Sequence, residues 1–106
     1  MLFTKMNRAE FNIIVENRIQ KIKNVLAAKA GEYATDGRAF YNFERASEIN
    51  RKQPRQALWD MATKHLVSVM DMVESGEEYK PEYIDEKIGD MINYLILLEG
   101  LLKDGK

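Results

Sequence analysis

The sequence predicts a single all-α domain, residues 1–106, built from three long helices and one short helix. Only two prolines and six glycines occur in the chain, so long stretches are free to be helical. Apolar residues recur three and four positions apart in three long segments, which is helical spacing. No segment alternates between apolar and polar residues over a useful length, as an amphipathic strand would. A chain of this length corresponds to one domain.

The first helix is predicted from about residue 8 to about residue 31. Its start resembles a capping box, because Asn7 is followed three residues later by Glu10. Two cations, Arg18 and Lys29, fall inside its apolar stripe rather than opposite it. Either their long side chains reach past the stripe to solvent, or they point into a pocket that requires positive charge. The stripe consists of Phe11, Ile14, Val15, Ile22, Val25 and Leu26.

Proline marks the start of each remaining long helix, since its missing N–H costs nothing in the first turn. One helix is predicted from Pro54 to about residue 76 and the other from Pro81 to about residue 104, with a short helix over residues 43–49. The stripe after Pro54 consists of Leu58, Met61, Ala62, His65, Leu66, Val69, Met72 and Val73. The stripe after Pro81, predicted to face the core, consists of Ile84, Ile88, Met91, Leu95, Leu98 and Leu102.

The last helix carries apolar residues outside that stripe as well, namely Ile92, Ile96, Leu97 and Leu101. A helix that is apolar on nearly every side is usually buried on nearly every side. A domain with only three long helices has too few other helices to bury all sides of the last one. We therefore expect a homo-oligomer, either a dimer or a tetramer, in which another subunit covers it. The alternative is a helix with an exposed apolar flank, which is common in soluble proteins.

Composition excludes several classes of site and partner. The 16 basic and 17 acidic residues give a net charge of −1, which argues against a dedicated nucleic-acid binder. The absence of cysteine excludes disulfides and thiol catalysis, and a single histidine excludes a multi-histidine zinc site. The longest apolar run is far shorter than the ~20 residues that span a bilayer, and the first residues lack the apolar region of a signal peptide. We therefore expect a cytoplasmic protein without membrane contact.

The last helix also carries a set of oxygen donors. Glu86, Asp90 and Asn93 are four and three positions apart and share one side of the helix. A divalent cation would turn the repulsion between the two carboxylates into binding, and Mg²⁺ prefers such ligands. The alternative is a solvated polar face. In an antiparallel hairpin, Asp71 and Glu74 of the preceding helix would lie near this set, unless they are surface charges.

The single histidine and the aromatic segment before it are further candidates. His65 has Ser68 one turn away but no third member of a catalytic triad, so it is either a half-buried core residue or a phosphate contact beside Lys64. The segment 29–43 is dense in aromatic, amide and cationic side chains. Aromatic rings can stack on a base, Arg or Lys can bind phosphate, and Asn can recognise a base edge. The alternative is simple packing of the aromatic side chains onto the bundle.

A string of short motifs covers about residues 29–98. It consists of Lys29-x-x-Glu32-Tyr33, Arg38-x-x-x-Asn42-Phe43, Ala57-Leu58-Trp59, Lys64-His65 and Glu86-Lys87-x-x-Asp90-x-x-Asn93-Tyr94-Leu95. These motifs resemble a family of small phage and prophage proteins described as nucleotide modification associated domain 1. The resemblance implies a role in phage nucleotide metabolism.

Residues 86–95 also resemble the final motif of the MazG-type, all-α nucleoside triphosphate pyrophosphohydrolases. That motif is a pair of Glu, two residues, then Asp and an apolar run, and Lys87 stands where the second Glu would be. The earlier motif, two Glu separated by two residues, has only Ser68-x-x-Asp71 or Asp71-x-x-Glu74 as counterparts. The resemblance implies a MazG-like helical bundle that binds Mg²⁺.

The resemblance further implies hydrolysis of a nucleoside or deoxynucleoside triphosphate to a monophosphate and pyrophosphate. Asp71, Glu86 and Asp90 would hold Mg²⁺ and form the catalytic set. The predicted substrate contacts are Lys29, Arg38 and Lys64 for phosphate, Tyr33, Asn42 and Phe43 for the base, and Glu32, His65 and Asn93. One alternative is a non-catalytic nucleotide-binding or regulatory module, supported by Lys87. Another is a phage accessory protein that binds a host protein through the last helix.

Overall fold

The computed structural model describes residues 3–27 and 39–106, and this part of the chain is helical without strands. Helix α1 spans Arg8–Ile22 and continues as a wider π-helical turn over Lys23–Ala27. Helix α2 spans Tyr41–Asn50, α3 spans Pro54–Ser75 and α4 spans Pro81–Lys103. The prediction of an all-α chain with three long helices and one short helix is confirmed. The predicted end of the first helix, near residue 31, lies outside the described residues.

Local chemistry sets the ends of the helices. Asn7 Oδ1 accepts a hydrogen bond of 2.8 Å from the backbone N–H of Glu10, which caps α1. Pro54 and Pro81 occupy the first turns of α3 and α4, as predicted. Helix α3 ends at Gly76, whose φ of 70° is the left-handed conformation that glycine adopts without strain.

The core lies where α2, α3 and α4 meet. Leu58 of α3 and Leu101 of α4 are fully buried, and Phe43 of α2 and Ala62 of α3 complete the buried cluster. Burial of a leucine side chain contributes about 1.5–3 kcal/mol, so these few residues supply much of the hydrophobic stabilisation of the bundle. Tyr94, Leu97 and Leu98 of α4 pack against them, as do Phe40 and Met61.

The predicted inward face of α4 is wrong in part, since Leu98 of the predicted stripe does pack against the core. Leu101 was predicted to lie outside the core face, yet it is only 1% exposed, and Leu97 packs beside it. Ile84, Leu95 and Leu102 of the predicted core stripe are instead exposed. Because α4 is apolar around most of its circumference, periodicity alone could not identify which side contacts α3.

Helix α1 is the least buried long element. None of its residues is buried, and Phe11, Ile14 and Val15 of the predicted apolar stripe are exposed. The radius of gyration is 16.3 Å, compared with about 13 Å for a compact chain of this length.

Within residues 3–27 and 39–106, no helix combines the length and apolar character needed to cross a lipid bilayer.

Candidate functional site

A small pocket lies between α1 and α4, with a volume of about 180 Å³. We call it the α1–α4 pocket. Cationic side chains enter it from α1, and oxygen-bearing side chains enter it from α4. Its lining residues are Arg18, Lys21, Val25, Asp85, Glu86, Gly89, Asp90 and Asn93.

Arg18 points into this pocket, and its side chain is 19% exposed. Its guanidinium donates a hydrogen bond of 3.3 Å to the backbone carbonyl of Asp85 and lies 3.6 Å from the Asp85 carboxylate. Gly89 makes room for this arrangement, since a Cβ there would lie 2.5 Å from Arg18 Nη1. Of the two interpretations of Arg18 given above, the structure therefore supports the pocket.

Lys21 stands beside Arg18 and forms an ion pair of 2.9 Å with the Asp85 carboxylate. The hydrogen bond from Lys21 lowers the pKa of Asp85, against some loss of hydration, and the charges of Lys21 and Arg18 lower it further. Asp85 therefore stays ionised to lower pH than an ordinary aspartate. It holds two cations at the mouth of the pocket and offsets part of their charge.

The oxygen donors predicted from spacing are brought together on the α4 side of the pocket. Glu86, Asp90 and Asn93 all line it. Asn93 Oδ1 is buried and has no hydrogen-bond partner among the residues that the structure describes. A buried carbonyl oxygen without a partner is costly, so this atom suits a ligand that supplies positive charge or a donor.

His65 connects the pocket to the core. Its Nδ1 lies 3.4 Å from Asp90 Oδ2, and its ring stacks on Tyr94 with 4.9 Å between ring centres. Tyr94 in turn meets the edge of Phe43 in the core at 6.5 Å. His65 is thus the half-buried, partnered histidine that was one of its two predicted roles, and it lies directly behind an oxygen donor of the pocket.

Other predicted site residues are not gathered at the pocket. Asp71 is exposed on α3 and has no ion pair or hydrogen bond within the described chain. Across residues 3–27 and 39–106, no three acidic or histidine side chains lie close enough together to hold one metal ion. Lys64 and Asn42 are exposed, and Phe43 packs in the core. Lys29, Glu32, Tyr33 and Arg38 lie outside the described residues.

Lys87, which departs from the MazG-type motif, does not line the pocket. Its Nζ lies 5.3 Å from the centre of the Tyr83 ring, an arrangement typical of a cation–π contact. Its charge is therefore directed away from Glu86 and Asp90, and the position contributes no oxygen to the pocket.

Sequence reasoning missed three contributors to the pocket. No role was assigned from the sequence to Lys21, Asp85 or Gly89. The sequence offers a signal for two of these residues. Lys21 follows Arg18 by three positions, so both lie on one side of α1, and a glycine in the middle of a helix usually marks a place where another group approaches the helix closely. Asp85 had no such signal, because the pairing of α1 with α4 was not predicted.

Comparison with known protein families, curated proteins and solved structures finds no match to this chain. The function proposed below therefore depends on the chemistry of the α1–α4 pocket and on the motif resemblance.

Proposed function

We propose that the α1–α4 pocket binds a nucleoside or deoxynucleoside triphosphate with Mg²⁺ and hydrolyses it to a monophosphate and pyrophosphate. The observation that carries this proposal is the meeting of two cations, both paired with Asp85, with three further oxygen donors in one pocket. Cations alone would suit a free phosphate, and carboxylates alone would suit a free metal ion. Both together suit the metal complex of a phosphate chain.

The donor set fits Mg²⁺. This ion is usually held by one or two carboxylates together with substrate phosphates and water, so Glu86 and Asp90 suffice without a third acidic residue. The unpartnered Asn93 Oδ1 adds an oxygen at the next turn of the helix. Mg²⁺ bound there would neutralise phosphate charge and orient a water molecule.

The cations of α1 would bind the phosphate chain. A guanidinium matches phosphate oxygens with two parallel hydrogen bonds, which suits Arg18, while Lys21 acts as a point charge. The pocket of about 180 Å³ accommodates phosphate and metal, and the nucleoside would extend beyond it. A MazG-like bundle, a phage-type role in nucleotide metabolism and a cytoplasmic location belong to the same proposal.

The decisive experiment is a thermal-shift panel of nucleoside mono-, di- and triphosphates, with ribose or deoxyribose, each with and without Mg²⁺. A ligand that binds only the folded state stabilises it by ~2.7 kcal/mol at a hundredfold excess over Kd. We expect one triphosphate to raise Tm only when Mg²⁺ is present. Pyrophosphate release by that triphosphate would then demonstrate the reaction.

A matched pair of variants ties the shift to the pocket. Arg18→Gln removes a pocket cation, whereas Lys23→Gln removes an exposed cation with no ion pair among the described residues. The first should abolish the ligand-induced shift, and the second should preserve it. A panel in which no nucleotide shifts Tm would reject nucleotide binding altogether.

A non-catalytic nucleotide-binding or regulatory module is the second candidate. It is favoured by Lys87, which replaces a ligand of the MazG-type motif and lies over Tyr83, and by Asp71, which contacts no other carboxylate. This candidate predicts a thermal shift that persists without Mg²⁺ and no pyrophosphate release. Release that depends on Mg²⁺ would reject it.

A further inference from the structure

Two apolar stripes on α3 and α4 repeat with coiled-coil spacing. Successive members are alternately three and four positions apart, which is the 3.5-residue period of helices that pack along a seam. Because the two stripes lie on adjacent helices, we call them together the apolar seam. Its members are Trp59, Ala62, Leu66, Val69 and Val73 on α3, and Ile84, Ile88, Met91, Leu95, Leu98 and Leu102 on α4.

The apolar seam borders the core through Ala62 and Leu98, and its outer side forms an open groove. At one end, a cavity of about 450 Å³ is bounded by Trp59, Leu98 and Leu102. At the other end, a cavity of about 520 Å³ is bounded by Val69, Val73, Ile84 and Ile88. Large side chains along the groove remain exposed, from Ile84 at 42% to Val73 at 78%.

The accessible surface of the chain is larger than that of a compact monomer. It is 8232 Å², whereas a compact monomer of this mass exposes about 6,100 Å². Part of this excess belongs to α1, which has no buried residue, and part belongs to the large apolar side chains that are exposed along the seam. A contiguous apolar surface of this kind indicates an interface.

The two ends of the groove carry opposite charge. Lys52, Arg55 and Asp60 line the cavity at the start of α3. Asp60 offsets the charge of Lys52 in an ion pair, so the positive charge at this end is that of Arg55, whose Nε is buried without a hydrogen-bond partner in the described chain. Glu77 and Glu78 line the cavity at the far end, without a described ion pair. The two ends are about 30 Å apart, the length of the helix between them. A second copy in antiparallel orientation would bring each basic end against an acidic end.

We propose that the apolar seam is the interface between two copies of this chain, arranged antiparallel about a two-fold axis. The α3–α4 hairpins of the two copies then form a four-helix bundle in which each groove is filled by the other. Arg55 of each copy meets Glu77 and Glu78 of the other. The interface is independent of the proposed nucleotide site, because the pocket residues of α4 lie on nearly the opposite side of the helix, about 170° from the apolar stripe.

Sedimentation equilibrium of the full chain tests the interface. We expect a dimer, and we expect Leu95→Glu to raise the dimer dissociation constant by about thirtyfold or more, because it places a charge at the middle of the seam. Ile49→Glu is the matched control, since Ile49 is 72% exposed on α2 and lines neither cavity of the groove, and it should leave the dimer intact. Circular dichroism should show unchanged helicity in both variants.

Two outcomes would overturn the proposal. One is a monomer at every concentration, in which case the groove would be the binding site of a different protein. The other is a dimer that Leu95→Glu does not weaken.

A charge exchange tests the orientation. Arg55→Glu alone and the pair Glu77→Lys with Glu78→Lys should each weaken the dimer, and their combination should restore it. A combined variant as weak as its parents would overturn the antiparallel arrangement.

Discussion

His65 Nδ1 lies 3.4 Å from Asp90 Oδ2, so the single histidine of the chain supports an oxygen donor of the α1–α4 pocket. The same imidazole stacks on Tyr94, which packs against the core. Side chains that contact a ligand-binding carboxylate fix its direction and basicity. Asp90 is therefore the donor whose position is best defined by the fold.

Asp90→Asn should lower Mg²⁺-dependent nucleotide affinity by more than tenfold, because even partners of a metal ligand contribute about 10–100-fold. The amide keeps the volume of the side chain, so Tm without ligand should change little. Asp71→Asn is the comparison variant, since Asp71 is exposed and lies apart from the pocket. The ligand-induced rise in Tm would report the nucleotide affinity of both variants. An equal loss in Asp71→Asn would instead support the three-carboxylate set of the MazG-type resemblance.

Gly89→Ala should weaken phosphate binding through Arg18. The new Cβ would lie 2.5 Å from Arg18 Nη1, so the guanidinium must leave its place beside Asp85. The displaced atom is the end of a flexible side chain, and alanine favours a helix over glycine by about 1 kcal/mol, so the fold should survive. Isothermal titration calorimetry should show a lower nucleotide affinity when Gly89→Ala is introduced into the wild-type chain. In an Arg18→Gln background, Gly89→Ala should have no further effect.

Acid should release α1 from α4. The pKa of Asp85 is lowered in the folded state, chiefly by its hydrogen bond with Lys21, so its contribution to stability is complete above its usual pKa, near 3.8. That contribution declines as the pH falls below this value and through the lowered pKa. Helicity at low temperature, recorded between pH 6 and pH 2 for wild type and Asp85→Asn, measures it. In Asp85→Asn, lowering the pH should not cause the loss of helicity that α1 contributes in the wild type.

Glu99 provides a control for that experiment. Its pKa is also lowered, by a hydrogen bond and ion pair with Lys103, but this pair joins two exposed residues of one helix. Glu99→Gln should therefore retain the wild-type acid response of α1. The same response in Asp85→Asn as in wild type would show that the ion pair does not hold α1.

Leu58→Ala should destabilise the chain by about 2–5 kcal/mol, since it leaves a cavity in a site that is 0% exposed. Chemical denaturation should show this as a lower midpoint with an unchanged slope. Ile49→Ala, at a position 72% exposed, should fall within about 0.5 kcal/mol of wild type. A Leu58→Ala variant as stable as Ile49→Ala would contradict the assignment of the core to α2, α3 and α4.

Helix positions were predictable because local chemistry sets them. Pro54 and Pro81 begin helices, Gly76 ends one, and Asn7 caps another, each through interactions with residues nearby in sequence. The buried side of α4 was not predictable in the same way. Leu101 and Leu102 are equally apolar, and only the packing of α4 against α3 determines that the first is buried and the second exposed.

The pocket was predictable only in part, for the same reason. Glu86, Asp90 and Asn93 share one helix, so their spacing was sufficient to group them. Arg18, Lys21 and Asp85 come together only through contact between α1 and α4, which are distant in sequence. No periodicity specifies that contact, because both surfaces are polar where they meet.

Since α1 has no buried residue, it should open as a separate cooperative unit. A helix of 15 residues is marginally stable alone, so the amide protons of α1 should exchange with solvent by local opening, whereas those around Leu58 and Leu101 exchange only on global unfolding. Any ligand that bridges Arg18 and Asp90 binds only while α1 is docked. Occupancy of the pocket should therefore slow exchange in α1 in proportion to ligand concentration over Kd, and leave the rest of the bundle nearly unchanged.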